Sequence, residues 1–428
     1  MVDGYLISIS ILAFFMSFSI GANDAANALA TSYGSNALRL LWLVLLGSLF
    51  EFIGAYWCSG HVAGQLVGSV IDNVDTLDQK LVEKMMLGTS IASFIFIMLS
   101  SVFSMPISGT HTVVGGLIGS GLATVGSGDI NWNKLGVIVA SWFVAPILSI
   151  ILCTLFFIAV CVFTLNKDRF EYKTRLLWLT VITAVAFFLI ALMFVKLVTE
   201  TGSDFSATAI TFLVLSPILG IFITRLILLI LTRPRSLNCC AGILISLKFW
   251  SASEYEELLE QRLAQAAVVD TGSESGDLLQ EKEKNHAKVI SEVYRYLMLM
   301  AAMMVCLGHG SNDVANSISP LLMVMQVDEK NIKDAYLLGS FGIALGLLAL
   351  GYKVMETVGK SVVKLDFAKG FTAQFATALS VSGGSIIGLP LSTTHCMVGA
   401  LMGLLLALKM SDSVKHVYPP EQEELESQ

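Results

Sequence analysis

The sequence predicts an all-α polytopic membrane protein with inverted-topology repeats. Its composition, its apolar segments and a duplicated polar motif lead to that fold class. Hydrophobic residues fill 55% of the 428 positions and charged residues 14%, and the mean hydropathy is +0.75. Soluble domains are normally less apolar and more charged. The lipid bilayer is therefore the expected surrounding, and nucleic acid is not an expected partner.

About eleven apolar segments reach the roughly 17 to 25 residues that a membrane-spanning helix needs. Some of them are expected to be re-entrant hairpins with broken helices. The segments lie at residues 5–30, 38–58, 86–104, 107–125, 136–165, 176–198, 207–231, 293–326, 335–356, 371–388 and 391–409.

A short polar motif occurs twice inside these segments, as Gly-Ala-Asn-Asp-Ala-Ala-Asn at 21–27 and as Gly-Ser-Asn-Asp-Val-Ala-Asn at 310–316. Each copy carries one carboxylate, Asp24 or Asp313, in otherwise uncharged surroundings. A charged side chain at the bilayer centre costs roughly 2.5 to 3.5 kcal/mol even on lenient scales. Each aspartate is therefore expected to face an ion, a substrate or a water-filled cavity.

The charges of the loops predict that the two copies run in opposite directions, because short cytoplasmic loops collect Lys and Arg. Basic residues cluster at 167–175, on both flanks of 233–290, and at 360–369. Acidic residues dominate the links at 72–83, 200–204 and 328–329. With the basic loops inside, the helix containing Asp24 runs inward and the helix containing Asp313 runs outward.

A second pair of motifs strengthens the repeat. Met-Pro-Ile-Ser-Gly-Thr-His at 105–111 matches Leu-Pro-Leu-Ser-Thr-Thr-His at 389–395. The prolines are separated by 390 − 106 = 284 residues and the aspartates by 313 − 24 = 289 residues. Inverted repeats whose broken helices meet at the bilayer midplane are a recurring plan of secondary transporters.

Each proline motif predicts the tip of a helical hairpin that can hold an anion. Proline ends or caps a helix, and Ser108 or Ser392 can serve as the N-cap of the returning helix. The free N–H groups, the positive helix end and the hydroxyls of Thr110, Thr393 and Thr394 then suit a tetrahedral oxyanion without any basic side chain.

An anion beside two aspartates requires a compensating cation or proton. Sodium accepts carboxylate and amide oxygens, and unwinding of the helices at Gly21 and Gly310 is expected to free backbone carbonyls for it. The candidate cation ligands are Asn23, Asp24, Asn312 and Asp313. Protonation of the two aspartates is the competing solution, since a low dielectric disfavours the charged form of a carboxyl.

The combination of these motifs resembles the inorganic phosphate transporter family of sodium- or proton-coupled carriers. The similarity covers 21–71, 88–149 and 308–406. It implies inorganic phosphate as substrate, co-transported sodium as in the eukaryotic branch, a plasma-membrane location, and no resident cofactor. The positions that it implies for the substrate are Asp24, Asn27, Ser108, Gly109, Thr110, Asp313, Asn316, Ser392, Thr393 and Thr394. Secondary candidates are Glu51, Gln374, His111 and His395.

Three features depart from the family pattern. Gln374 stands where many relatives carry a glutamate, interpreted as the second-repeat counterpart of Glu51. Gly109 replaces the threonine found at Thr393. The helix at 136–165 has no apparent counterpart after residue 409, so the final helix of the second repeat is expected to be missing.

The predicted organisation is a first transmembrane repeat at 1–165, connecting helices at 166–232, a cytoplasmic loop at 233–290, a second repeat at 291–409 and an acidic tail at 410–428. The favoured function is phosphate import by cation symport, with a homodimer compatible with the sequence. A proton-coupled carrier, a passive channel and a truncated receptor or scaffold without transport stay open as alternatives. An enzyme is not expected, because no nucleophile–base set, nucleotide-phosphate loop or metal-ligand spacing is present in the sequence.

Overall fold

The computed structural model describes residues 4–57, 59, 70–72, 74–199, 207–232, 276–325, 329–361, 365–386 and 391–419. Within these ranges the protein is helical, and strand pairing is confined to one isolated bridge between Ile71 and Ile130. The helices are α1 (Gly4–Gly34), α2 (Leu40–Trp57), α3 (Gln79–Val102), α4 (Gly109–Thr124), α5 (Trp132–Val160), α6 (Tyr172–Thr199), α7 (Ala207–Thr232), α8 (Gly276–Val324), α9 (Glu329–Ser361), α10 (Phe367–Ile386), α11 (Thr393–Met410) and α12 (Asp412–Val417).

Nine of the described helices are long and apolar enough to cross a membrane. The protein is therefore a multi-pass membrane protein, as predicted. Each of the eleven predicted apolar segments coincides with one of the helices α1 to α11. Helix α8 begins at Gly276, inside the predicted cytoplasmic loop at 233–290. Residues 233–275, which contain most of the predicted loop, lie outside the described residues.

The predicted unwinding at Gly21 and Gly310 is not observed, because α1 and α8 are continuous helices through both glycines. The two glycines permit close packing instead. A Cβ atom on Gly21 would overlap the carbonyl oxygen of Ile343 on α9, and one on Gly310 would overlap the carbonyl oxygen of Glu51 on α2. Gly21 and Gly310 are 310 − 21 = 289 residues apart, the separation of the two aspartates. Glu51 and Ile343 are 343 − 51 = 292 residues apart, the separation of Gly47 and Gly339 (339 − 47 = 292). The α1–α9 and α8–α2 contacts therefore join equivalent positions of the two halves.

The molecule has two polar faces, and α5 runs from one to the other. With 29 residues and a rise of 1.5 Å per residue, α5 is about 44 Å long. Before α5, the side-chain amide of Asn131 donates to Asp72 Oδ1 at 2.7 Å. Beyond its other end, Asp168 Oδ2 lies 3.2 Å from His416 Nε2. These two pairs mark opposite faces of the molecule.

The helix pairs α3–α4 and α10–α11 form two hairpins that open towards opposite faces. The first hairpin begins and ends near Asp72 and Asn131. The second begins near Asp366, which accepts a hydrogen bond from the Tyr418 hydroxyl at 2.6 Å beyond the end of α11. Both hairpin tips therefore point to the interior, where they meet.

Candidate functional site

The two hairpin tips have the capping geometry that their sequences predict. Ser108 precedes α4, and its hydroxyl accepts a hydrogen bond from the backbone N–H of His111 at 3.2 Å. Ser392 precedes α11, and its hydroxyl accepts from the N–H of His395 at 3.2 Å. Because an N-cap satisfies only part of the first helical turn, each tip presents a positive helix end.

Crossed hydrogen bonds hold the two tips against each other. The hydroxyl of Thr110 donates to the carbonyl of Leu391 at 2.9 Å, and the hydroxyl of Thr394 donates to the carbonyl of Ile107 at 3.0 Å. Both threonines are buried. Residues 284 positions apart thus play the same part in each hairpin.

Two asparagines connect the tips to the aspartates of α1 and α8. Asn27 donates to Asp24 Oδ1 at 2.8 Å and to the Thr394 hydroxyl at 2.8 Å. Asn316 donates to Asp313 Oδ1 at 2.6 Å and to the Thr110 hydroxyl at 3.0 Å. The structure therefore brings the two Asn-Asp motifs and the two tips into one buried network.

The remaining predicted tip residues lie at the edge of this network. Thr393 has its hydroxyl 3.5 Å from the Asn27 amide. Gly109 lies above α1, where an added Cβ would be 3.6 Å from Asp24 Oδ2. That distance is an ordinary contact, so the site has room for a Cβ atom at position 109.

Asn23 and Asn312 bind the hairpin backbones. The Asn23 amide donates to the carbonyl of Met105 at 2.9 Å, and its oxygen accepts from the N–H of Ile107 at 2.9 Å. Asn312 donates to the carbonyl of Leu391 at 3.2 Å. Its side-chain oxygen is buried without a hydrogen-bond partner, which leaves a polar atom available to a ligand.

An imidazole and three carboxylates lie together beside the tips. His309 Nε2 is 3.2 Å from Asp24 Oδ2 and 3.0 Å from Asp313 Oδ2. On the other side of the ring, Nδ1 is 2.9 Å from Glu51 Oε1. All four side chains are fully buried. We call Asp24, Glu51, His309 and Asp313 the acid–histidine cluster.

Sequence reasoning missed His309. Histidine does not contribute to the formal charge of the sequence, so Asp313 is the one formally charged residue of its stretch. The available signal was the spacing, because His309 lies one helical turn before Asp313 on α8 and shares its face. The first repeat offers no match, since 309 − 289 = 20 and position 20 is isoleucine.

The interpretation of Gln374 as the second-repeat counterpart of Glu51 is wrong. Glu51 lies on α2, whose register matches Ile343 on α9, whereas Gln374 lies on hairpin helix α10. The amide of Gln374 donates to the Ala28 carbonyl at 2.7 Å and to the Thr31 hydroxyl at 2.6 Å. Gln374 therefore joins α10 to α1, while Glu51 contacts the acid–histidine cluster.

His111 and His395 pack beside the tips. The His111 ring lies 3.6 Å from the Trp142 ring and 4.7 Å from the His395 ring, measured between centroids. Its Nδ1 is 2.5 Å from the Ser108 hydroxyl. The first of the two histidines thus supports the N-cap of its own hairpin.

These features define a class of protein before any relative is considered. A multi-pass membrane protein encloses two helix N-termini, the hydrogen bonds between the hairpin tips and the Asn-Asp motifs, and a cluster of ionisable groups in its interior. Polar groups concentrated at depth, with apolar helices around them, are typical of membrane carriers.

Comparison with known proteins identifies the family. The profile of the phosphate transporter family matches residues 20–417, so the chain belongs to the phosphate transporter family. A putative phosphate permease of Haemophilus influenzae is 31% identical, over 92% of this chain and 86% of that protein. The chloroplastic inorganic phosphate transporter 2-1 of Arabidopsis thaliana is 28% identical, over 92% of this chain and 64% of that protein.

A solved structure is similar over almost the whole chain. It is described as the sodium-dependent phosphate transporter, and it superposes with a TM-score of 0.72 at 27% identity. The match covers 97% of this chain and 94% of that one. The resemblance to a phosphate transporter family that the motifs predicted is confirmed.

Proposed function

We propose that this protein imports inorganic phosphate across the plasma membrane by sodium symport, through a single site where the two hairpin tips meet. The crossed hydrogen bonds of Thr110 and Thr394 carry this proposal, because they bring two helix N-termini to one point. Membership of the phosphate transporter family supports phosphate as the anion. The name of the similar solved structure supports sodium as the coupling ion.

The anion would replace the contacts between the tips. Each threonine hydroxyl now donates to the other tip's carbonyl, and a bound oxyanion would accept those donors instead. The Asn27 and Asn316 amides, which reach the same hydroxyls, would orient them. Charge stabilisation would come from the N-termini of α4 and α11, since helix N-termini bind phosphate groups without basic side chains.

The cation would bind on the other side of the same groups. Three carboxylates surround one imidazole in the acid–histidine cluster. With all three carboxylates ionised, negative charge exceeds positive charge even when His309 is an imidazolium. The orphan side-chain oxygen of Asn312 lies next in sequence to Asp313. Carboxylate and amide oxygens are ligands of hard cations, and sodium as co-substrate would offset the charge beside the phosphate.

The reciprocal contacts of the two halves support inverted repeats and alternating access. The α1–α9 and α8–α2 contacts match in register, the tip hydrogen bonds are crossed, and the hairpins open towards opposite faces. A carrier with such halves can expose one midplane site to either side by moving one half against the other. A receptor or scaffold has no need of this arrangement.

We expect radiolabelled phosphate uptake into proteoliposomes to depend on an inward sodium gradient, because the excess negative charge must be offset when the anion binds. The measurement compares initial rates with external sodium chloride and with external choline chloride at equal pH. Accumulation above the external concentration would separate a carrier from both a channel and a non-transporting receptor.

If uptake were unchanged in choline and followed an imposed pH gradient, the coupling ion would be the proton and not sodium. Equilibration without accumulation would favour the channel. No uptake by protein that binds phosphate would favour the receptor.

We expect removal of single tip hydroxyls to raise the apparent KM for phosphate about two- to tenfold, because each neutral donor contributes roughly 0.5 to 1.5 kcal/mol. The variants are Ser108→Ala, Thr110→Val, Ser392→Ala and Thr394→Val. Thr112→Val is the matched control, since its hydroxyl donates to the carbonyl of Ser108, the N-cap residue of α4. Gly109→Thr should be tolerated.

If all four variants kept the wild-type KM at normal surface expression, phosphate would have to bind elsewhere. If the Thr112→Val control changed as much as the tip variants, the effect would be one of helix stability and not of binding.

A further inference from the structure

Two histidines, one from each hairpin tip, lie against each other beside the proposed anion site. His111 is in the first turn of α4 and His395 is in the first turn of α11, at equivalent positions because 395 − 111 = 284. Their ring centroids are 4.7 Å apart, with 63° between the ring planes. Both side chains are partly exposed, whereas the neighbouring Thr110 and Thr394 are buried. The two rings therefore form a contact between the hairpins that is not sealed on all sides.

The surroundings of His111 orient its ring and leave one nitrogen available. Its Nδ1 lies 2.5 Å from the Ser108 hydroxyl, and its ring packs on that of Trp142 with 3.6 Å between centroids. When Nδ1–H donates to the hydroxyl, Nε2 carries a free lone pair. Metal-binding histidines almost always donate their other ring N–H to an acceptor in this way, which fixes the tautomer and the ring orientation.

The ring of His395 has no such support. Its backbone N–H donates to the Ser392 hydroxyl, but neither ring nitrogen has a hydrogen-bond partner in the part of the chain that the structure describes. Neutral imidazole is the commonest metal ligand in proteins. The two rings together therefore offer two nitrogen lone pairs to one ion.

The separation of the two rings is close to that of two histidines on one metal ion. Zinc–nitrogen bonds of about 2.0 to 2.1 Å at a tetrahedral angle place the ring centroids about 5.2 Å apart. The observed separation is 4.7 Å, and small rotations of the side chains can supply the difference. Imidazole suits zinc, copper and nickel, whereas hard cations prefer oxygen ligands. The pair is therefore chemically distinct from the proposed sodium site.

We propose that His111 and His395 form a binding site for a divalent transition metal ion of the zinc type, which bridges the two hairpin tips. Water completes the coordination of the ion. Because the two ligands belong to different halves of the protein, a bound ion resists the movement of one half against the other and inhibits transport. This inhibition rests on the alternating access proposed above, whereas the binding of the ion does not.

The first measurement is the binding of Zn²⁺ to the full-length protein in detergent, by calorimetric titration in sodium buffer without phosphate. We expect His111→Gln and His395→Gln each to raise the Kd at least about tenfold, because changes even in the partners of metal ligands cost roughly 10- to 100-fold in affinity. His416→Gln is the matched control, since this histidine lies at a polar face beside Asp168. It should leave the Kd within about twofold, as for a surface substitution.

The acid–histidine cluster is the competing site for Zn²⁺, because Asp24, His309 and Asp313 have ligand atoms within 4.8 Å of one another. Asp313→Asn distinguishes the two sites and should keep the wild-type Kd. A Kd that is unchanged in both His111→Gln and His395→Gln would overturn the proposal. If Asp313→Asn alone raised the Kd, the ion would belong to the acid–histidine cluster.

A spectrum of the wild-type protein tests the same site without any substitution. Bound Cu²⁺ should show electron paramagnetic resonance coupling to two imidazole nitrogens, because each of the two histidines supplies one. Coupling to a single imidazole nitrogen would contradict the proposal, since the acid–histidine cluster contains one histidine.

The last measurement is phosphate uptake into proteoliposomes, with Zn²⁺ and phosphate both at micromolar concentration. We expect Zn²⁺ to inhibit wild-type uptake and EDTA to restore it, while each histidine variant keeps its own rate in Zn²⁺. Binding of Zn²⁺ without inhibition would overturn the bridge between the halves. Absence of phosphate uptake without Zn²⁺ would contradict the proposed function alone, and the binding measurement would still decide the metal site.

Discussion

Asp24→Asn and Asp313→Asn should each lower sodium-driven phosphate uptake at least about tenfold while membrane insertion stays normal. Each aspartate contacts both an asparagine of the tip network and the ring of His309. A hydrogen bond to a charged group contributes roughly 1.5 to 3 kcal/mol, and asparagine cannot supply the charge that a cation requires. Removal of a buried charge eases insertion into the bilayer. Uptake and surface biotinylation are the two measurements.

Asp168→Asn is the matched control for these variants. Its carboxylate lies at the polar face beside His416 and is more than half exposed. Its replacement should leave uptake unchanged. Wild-type uptake by either correctly inserted Asp24 or Asp313 variant would mean that the carboxylate serves packing alone, as a clamp between helices.

His309→Gln should lower both uptake and thermal stability more than any tip variant. Both ring nitrogens of His309 lie within 3.2 Å of carboxylate oxygens, and Nε2 is in hydrogen-bonding geometry with Asp24 Oδ2. Removing one partner of a buried charged group typically costs roughly 3 to 5 kcal/mol, because the remaining charges are left uncompensated. Melting of the detergent-solubilised protein and phosphate uptake would measure the two effects.

The double variant His309→Gln, Glu51→Gln distinguishes two causes of instability in His309→Gln. One is repulsion among the three carboxylates, and the other is the changed packing of the side chain at position 309. Removing one of the three carboxylates should restore part of the lost melting temperature, whereas it should not restore uptake. His416→Gln, at the polar face, is the control and should behave as wild type. A His309→Gln protein with wild-type melting and uptake would show that the acid–histidine cluster is not needed for either property.

The sequence predicted the two hairpins and their caps, but it did not predict the role of His309. The spacing of the Pro-x-Ser-x-Thr-His motifs predicted both hairpins, and the N-caps at Ser108 and Ser392 follow from local chemistry. The crossed hydrogen bonds of Thr110 and Thr394 depend on the two hairpin tips lying close together. The motifs implied that proximity but did not specify the bonds. His309 was missed because its counterpart is Ile20, so no comparison between the repeats could reveal it.

Two further differences arise from packing that residue type does not reveal. Gly21 and Gly310 lie within polar motifs, and unwinding was a reasonable expectation for them. In the structure they admit the carbonyls of Ile343 and Glu51, because helices that cross closely need a residue without a side chain. The role of Gln374 likewise comes from its hydrogen bonds to α1. Motif spacing along the sequence does not predict that contact.

The position of a bound tetrahedral anion tests the central claim most directly. Arsenate has the shape and charge of phosphate, and arsenic gives an anomalous signal in crystals grown with arsenate and sodium. The account predicts one anomalous peak between the tips, within hydrogen-bonding distance of the Thr110 and Thr394 hydroxyls and the first amides of α4 and α11. A single peak elsewhere in the molecule, with the crossed hydrogen bonds of the tips intact, would contradict it.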